Sequence, residues 1–236
     1  MRKLIKRVVI AGQKGGIGKS SIGRALAVAL TQRGKSVILA DLDASQQTTT
    51  DWTLAREANG ITPAIRADVL KVGETGFEIA NTKDVDVIIY DCPGWSDQHT
   101  LGAAAFADLT ILPTSSGADD LRPLVRLAYD LESAGIDMSH VVVALFRISS
   151  QAEAKAARDY IAAAEGIEIQ VAAGMIAEGI SIKQAHGVGQ SAIEVGGDKQ
   201  RASVVKLIDD LIGRIDSSDR AGADVSDWSQ FDWNSV

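Results

Sequence analysis

Val8-Val9-Ile10-Ala11-Gly12-Gln13-Lys14-Gly15-Gly16-Ile17-Gly18-Lys19-Ser20-Ser21 starts as an apolar strand, passes through a glycine-rich turn and opens a helix. The glycines at 15, 16 and 18 let the backbone turn tightly, so that its N–H groups converge on phosphate oxygens. The helix that follows adds the positive end of its dipole at the same point. In such a turn Lys19 reaches the β- and γ-phosphates, and the Ser20 hydroxyl, with Ser21 beside it, faces a Mg²⁺ ion. A glycine-rich turn of no function is the plain alternative. It leaves the strand before, the helix after and the two flanking lysines as coincidences. The general form G-x-x-x-x-G-K-[ST] would place glycine at position 13, where this chain has Gln13, and a second lysine, Lys14, comes next.

Working outward, apolar runs of strand length alternate with segments of helical period, which is the pattern of a parallel α/β sheet. Strands are expected near Arg7–Ala11, Ser36–Ala40, Val85–Tyr90, Leu109–Pro113 and Val141–Phe146. Helices are expected over Ser20–Gln32, Ser96–Phe106, Asp119–Ala134, Gln151–Ala164 and Lys199–Ile215. A continuous run such as Val87-Ile88-Ile89-Tyr90 suits a strand covered on both faces. Gly34 closes the first helix as a C-cap would. The fold class is therefore α/β: a P-loop nucleotide-binding fold with a mostly parallel, twisted sheet and helices on both faces. Ligands of such sheets bind at the carboxyl ends of the strands.

The 236 residues suffice for one domain with a substantial core. No apolar stretch approaches the roughly 20 residues that span a bilayer. The basic start, Met1-Arg2-Lys3-Leu4-Ile5-Lys6, runs into a strand rather than an apolar signal core. The single cysteine, Cys92, excludes an intrachain disulfide and any cysteine-built metal site within one chain. A cytoplasmic location is the expectation. Net charge is −7, and residues 216–236 account for −4 of it through five aspartates against Arg220. The body then carries only −3, which leaves room for a local basic face. Residues 216–236 have no apolar period and read as a mobile tail, apart from a domain at 1–215.

Two further acidic positions fall at strand ends. Asp91 closes Asp86-Val87-Ile88-Ile89-Tyr90, and four apolar residues followed by an acid deliver one carboxylate to a magnesium-bound water. Asp41-Leu42-Asp43 ends the second strand, where a pair of acids is elsewhere a common helix cap.

Together, Lys14-Gly15-Gly16-Ile17-Gly18-Lys19-Ser20, Asp41-Leu42-Asp43 and Asp91-Cys92-Pro93-Gly94 resemble the ParA/MinD class of dimerising ATPases, whose deviant Walker A motif reads K-G-G-x-G-K-[ST]. The resemblance covers about residues 5–215. It implies that ATP and Mg²⁺ are the cofactors and that Lys14 crosses a face-to-face homodimer to the partner's nucleotide. It also implies that Asp41 and Asp91 support the metal with Ser20, and that Asp43 orients the attacking water. The family usually continues D-x-D-P-Q, but here Ala44-Ser45-Gln46-Gln47 follows and the proline is missing. Pro93 and Gly94 resemble the second switch, where a backbone N–H senses the γ-phosphate. Iron–sulfur relatives need two cysteines per subunit, so that branch does not fit. Phe146-Arg147 and the segment Met175–Ile180 occupy the places where the family reads adenine. Arg147 could stack on the base or be an ordinary surface arginine.

Within the class, three features resemble small plasmid-partition ParAs. The first strand begins close to Met1, leaving no room for an N-terminal helix-turn-helix domain. Ile180–Ala185 with Gly189-Gln190-Ser191 resembles their late S-x-x-x-A-x-x-x-G-x-S region, and Thr50-Asp51-Trp52 continues their first switch. The resemblance implies non-specific DNA binding by the ATP-bound dimer, a nucleoid-associated location, and slow hydrolysis stimulated by a centromere-binding, ParB-like adaptor. Lys183, Lys199, Arg201 and Lys206 are the candidate phosphate contacts, although Asp209 and Asp210 dilute the patch and a solvated helix face is the rival reading. A positioning ATPase for a non-DNA cargo, such as a microcompartment or protein cluster, is the alternative function. A metabolic synthetase would have no need of Lys14. The aromatic, acidic stretch Asp227–Trp233 could dock on a partner, fold back or dangle. It lacks the basic amphipathic helix that a membrane anchor needs.

Overall fold

Strands β1 (Lys6–Ile10) and β2 (Val37–Asp41) flank helix α1 (Lys19–Gln32) in sequence. Their alternate residues feed two separate cores. Val9 and Ala11 point to one side of the sheet with Ile38, Ala40, Ile88 and Tyr90. Val8 and Ile10 point to the other with Leu39 and Ile89. Because side chains alternate along a strand, a sheet with apolar residues at both parities must be covered on both faces.

The computed structural model describes residues 5–42, 48–69, 84–94 and 98–219. After β2 come α2 (Thr48–Ala58), β3 (Arg66–Val69), β4 (Val87–Asp91), α3 (Gln98–Phe106), β5 (Leu109–Thr114) and α4 (Ala118–Ser133). A 3₁₀ turn at Met138–His140 leads into β6 (Val141–Ile148) and α5 (Gln151–Ala162). The short strands β7 (Gln170–Val171) and β8 (Ile176–Ala177) then precede α6 (Ile180–Gly187) and α7 (Asp198–Ser217). Seven strands run in the order β3-β2-β4-β1-β5-β6-β7, every pairing parallel, and β8 pairs with the far end of β6.

Each of the five expected strands is present, and each of the five expected helices, with ends shifted by a few residues. Gly34 has the left-handed φ of 80° that a helix terminator needs. Five strands and helices were not expected. Strand β3 sits at the sheet edge with no buried residue, so it has no apolar run to reveal it. Helix α2 buries only Thr49, Trp52 and Arg56, two of them polar, and β7, β8 and α6 follow them in the chain as short pieces. Helix α7 packs Val204, Leu207, Ile208, Leu211, Ile212 and Ile215 against the α1 side of the sheet. The ammonium of Lys6 bonds the Ser218 carbonyl and pairs with Asp108 at 3.3 Å, holding the end of α7 beside the start of β1.

Candidate functional site

The carboxyl ends of β1, β2 and β4 converge on one cleft, as the strand order places them side by side. Its lining includes Gly15, Gly16, Gly18, Lys19, Ser20 and Ser21 from the turn, Asp41 and Asp91 from the strand ends, and Phe146 from β6. The space measures about 630 Å³ with its open mouth.

The turn owes its shape to two glycines. Gly16 and Gly18 have φ of 77° and 103°, a region L side chains avoid. A Cβ on Gly18 would also lie 2.3 Å from the Phe146 ring. At Gly15 and Gly16 an added Cβ would meet nothing within 4 Å, so the cradle is open in front. Gly18 is the N-cap of α1 and makes no side-chain cap bond. The first N–H groups of that helix are thus left to an anion. Lys19 is 8% exposed and donates to the Lys14 carbonyl at 2.8 Å, which curls the loop around its own ammonium. Gly94 closes the other wall: a Cβ there would come within 3.0 Å of the Gly15 nitrogen.

Asp41 and Asp91 are directly paired across β2 and β4, and both are buried. Thr49 bridges them. Its N–H donates to Asp41 Oδ2 at 3.1 Å and its hydroxyl to Asp91 Oδ2 at 3.0 Å. Burial, followed by the neighbouring Asp41 charge, pushes the Asp91 carboxyl up to about 6, against bonds from Ser20 and Thr49 and the Arg24 charge. Two buried carboxylates beside a serine hydroxyl form a hard oxygen set of the kind Mg²⁺ takes. These residues fit a magnesium–phosphate group, and the open glycine cradle fits the phosphates.

Not every expected site residue lines this cleft. Lys14 stands outside it with its side chain 42% exposed, its ammonium bonded to the Asp119 carbonyl and 3.1 Å from Asp120 Oδ1. Ile17 turns away and fills the space above Gly12. Arg147 adopts φ 59° at a bulge in β6 and pairs at the surface with Glu178 at 2.9 Å. Asp43 lies outside the described residues. Lys183 on α6 and Lys199, Arg201 and Lys206 on α7 are all exposed. Asp209 and Asp210 dilute that stripe less than the sequence suggests, since Arg33 pairs with the first and Arg214 with the second.

Thr49 and Arg24 escaped the sequence reading. Thr49 follows the Asp41–Asp43 pair closely, which was a usable signal. Arg24 is a charged residue inside the apolar run Ile22–Leu30, another signal, and it proves 94% buried, being only 6% exposed.

The fold and site define a P-loop α/β nucleotide-binding domain. Residues 8–193 match the CobQ/CobB/MinD/ParA nucleotide binding domain, and the chain belongs to that family. The chromosome-partitioning ATPase Soj of Thermus thermophilus is 26% identical over 160 residues, covering 56% of this chain and 64% of that relative's length. The MinD cell division protein of Aquifex aeolicus superposes with a TM-score of 0.67 over 88% of this chain and 97% of its own, at 19% identity. A protein assigned to plasmid partition in Borrelia burgdorferi B31, bound to AMPPNP, superposes with a TM-score of 0.64 over 90% of this chain and all of its own, at 16% identity. At such identities the likeness is one of fold. No described helix is long and apolar enough to cross a membrane.

Proposed function

We propose that this chain is a partition ATPase: ATP drives it into a homodimer, the dimer binds DNA without sequence preference, and a centromere-binding adaptor stimulates its slow hydrolysis. The observation that carries this reading is the position of Lys14. It flanks the phosphate turn yet does not line its own cleft, and its ammonium stands at the rim, where a facing subunit could receive it. A cation that does not serve its own nucleotide is best explained by a partner's, in the charge-neutralising role of an arginine finger.

In this reading Lys19 and the N–H groups of Gly15–Ser20 hold the phosphates of ATP. Ser20, Asp41 and Asp91 would hold Mg²⁺, which supplies charge neutralisation at the β- and γ-phosphates. Asp43 orients the attacking water, as the family resemblance implies, and Gly94 presents its backbone to the terminal phosphate. Phe146, stacked on Gly18, forms the floor toward the base. Lys199 and Lys206 share one stripe of α7 and meet DNA phosphates, with Arg201 and Lys183 as further contacts. Residues 1–215 act as the ATPase domain, with α7 ending two residues later, and 216–236 as an acidic appendage. The location that follows is the cytoplasm, on the nucleoid.

Sedimentation with AMPPNP, with and without DNA, tests the proposal. The wild type should shift to a dimer with the analogue and bind DNA only then, and Lys14→Ala should bind nucleotide but remain monomeric. DNA binding equally tight with ADP would sink the reading.

A further inference from the structure

Arg24 lies one helical turn after Ser20 on α1, so both side chains share a face. Its guanidinium sits in the field of both Asp41 and Asp91. It donates to the Thr48 carbonyl at 2.7 Å, at the start of α2. On its other side lies the Trp52 ring, with Arg24 5.5 Å and Arg56 5.3 Å from the ring centroid. Such contacts strengthen when the cation is desolvated, and Arg56 is only 1% exposed.

From there the contacts leave α2. Arg56 bonds Glu194 with two nitrogens at 2.9 and 2.8 Å and the Gly189 carbonyl at 2.9 Å. The Trp52 indole N–H donates to the Gln190 carbonyl at 3.0 Å. Gly189 packs so close that an added Cβ would stand 2.2 Å from the Arg56 nitrogen. Helix α2 is therefore fastened at its first turn to the strand-end carboxylates, through Thr49, and at its middle to the 188–194 loop after α6. A bidentate, buried arginine fork transmits displacement rather than absorbing it.

We propose that Arg24, Trp52 and Arg56 form a buried strut through which occupancy of the nucleotide–metal site sets the position of α6 and the 188–194 loop, the surface that carries Lys183. The strut rests on the nucleotide-site reading above and is independent of the DNA reading. A divalent cation held by these carboxylates would change the field on the Arg24 guanidinium. Its stack on Trp52 and its bond to Thr48 then carry the change along α2. These are positioning residues; none of them lines the cleft.

Hydrogen exchange of segment 180–194, with and without Mg²⁺ and AMPPNP, tests the strut without DNA. Measurement in the Lys14→Ala background prevents a dimer contact from supplying protection. Ligand should slow exchange in 180–194 by about tenfold, a local-stability change of the size such segments show. Arg24→Met and the gentler Trp52→Phe should bind AMPPNP within about threefold of the parent, yet lose most of that slowing, to under about twofold. An undiminished response in Trp52→Phe and Arg24→Met overturns the strut. So does a parent that binds AMPPNP with no response in 180–194. A parent that fails to bind AMPPNP overturns the nucleotide-site reading, and the strut with it.

Discussion

The phosphate turn and the basic stripe of α6 and α7 both suit phosphate, but they are made of different materials. The turn uses backbone: two left-handed glycines, a helix start without a side-chain cap and a lysine curled into its own loop. The stripe uses the tips of long exposed side chains on two helices. The first would fix one phosphate chain in one place, while the second would offer a field to any polyanion. Geometry-made sites should fail abruptly under substitution, and field-made sites should weaken by degrees.

The sharpest way to break that comparison is Lys19→Ala. Loss of a buried charged donor worth about 2–3 kcal/mol should weaken ATP binding by roughly 30–150-fold in a fluorescent-nucleotide titration. A loss no greater than that from a stripe lysine would erase the distinction.

His186 lies in the last turn of α6, within the field of Arg24. Burial, followed by the Arg24 charge, pushes its imidazole down to about 4. The folded state therefore resists a proton that the unfolded chain accepts near the ordinary value of 6.5. Stability is complete above about 6.5 and drains away as pH falls toward 4, by up to about 3 kcal/mol. Urea midpoints measured from pH 7 to pH 4 should fall less steeply in His186→Gln.

Gly18→Ala tests the turn by shape alone. Left-handed backbone costs about 1–2 kcal/mol, and displacement of the Phe146 ring adds to that. The melting temperature should drop by roughly 4–8 °C, and nucleotide binding should go with it. The smallest effects belong to the stripe. Lys199→Gln and Lys206→Gln should each weaken DNA binding a few-fold and lower the salt slope by about 1. Nucleotide affinity should stay unchanged, and a salt slope equal to the parent's in both would remove α7 from the DNA face.

The same contrast explains what could be read in the sequence. The turn, Asp91 and the central strands are local patterns in which spacing alone carries the geometry. Asp41 needed the resemblance to gain meaning, although its in-register partner Asp91 could be inferred once β2 and β4 were placed together. Helix α2 escaped because its buried face is made of Thr49, Trp52 and Arg56, and hydrophobic periodicity is blind to polar burial. Strand β3 escaped because an exposed edge needs no apolar run. Arg147 illustrates a different limit. A residue type suited to stacking on a base is also suited to pairing with Glu178, and only tertiary placement separates the two.

The contact between Gly94 and the backbone of Lys14 and Gly15 leaves less room than a methyl group needs. The loop after β4 and the loop after β1 are consequently two surfaces of one rigid wall. A shift of either by a fraction of an ångström is felt by the other, with no side chain between them to soften it. Position 94 therefore acts as a spacer of zero thickness. Whatever displaces the loop after β4 therefore also displaces the backbone beside Lys14.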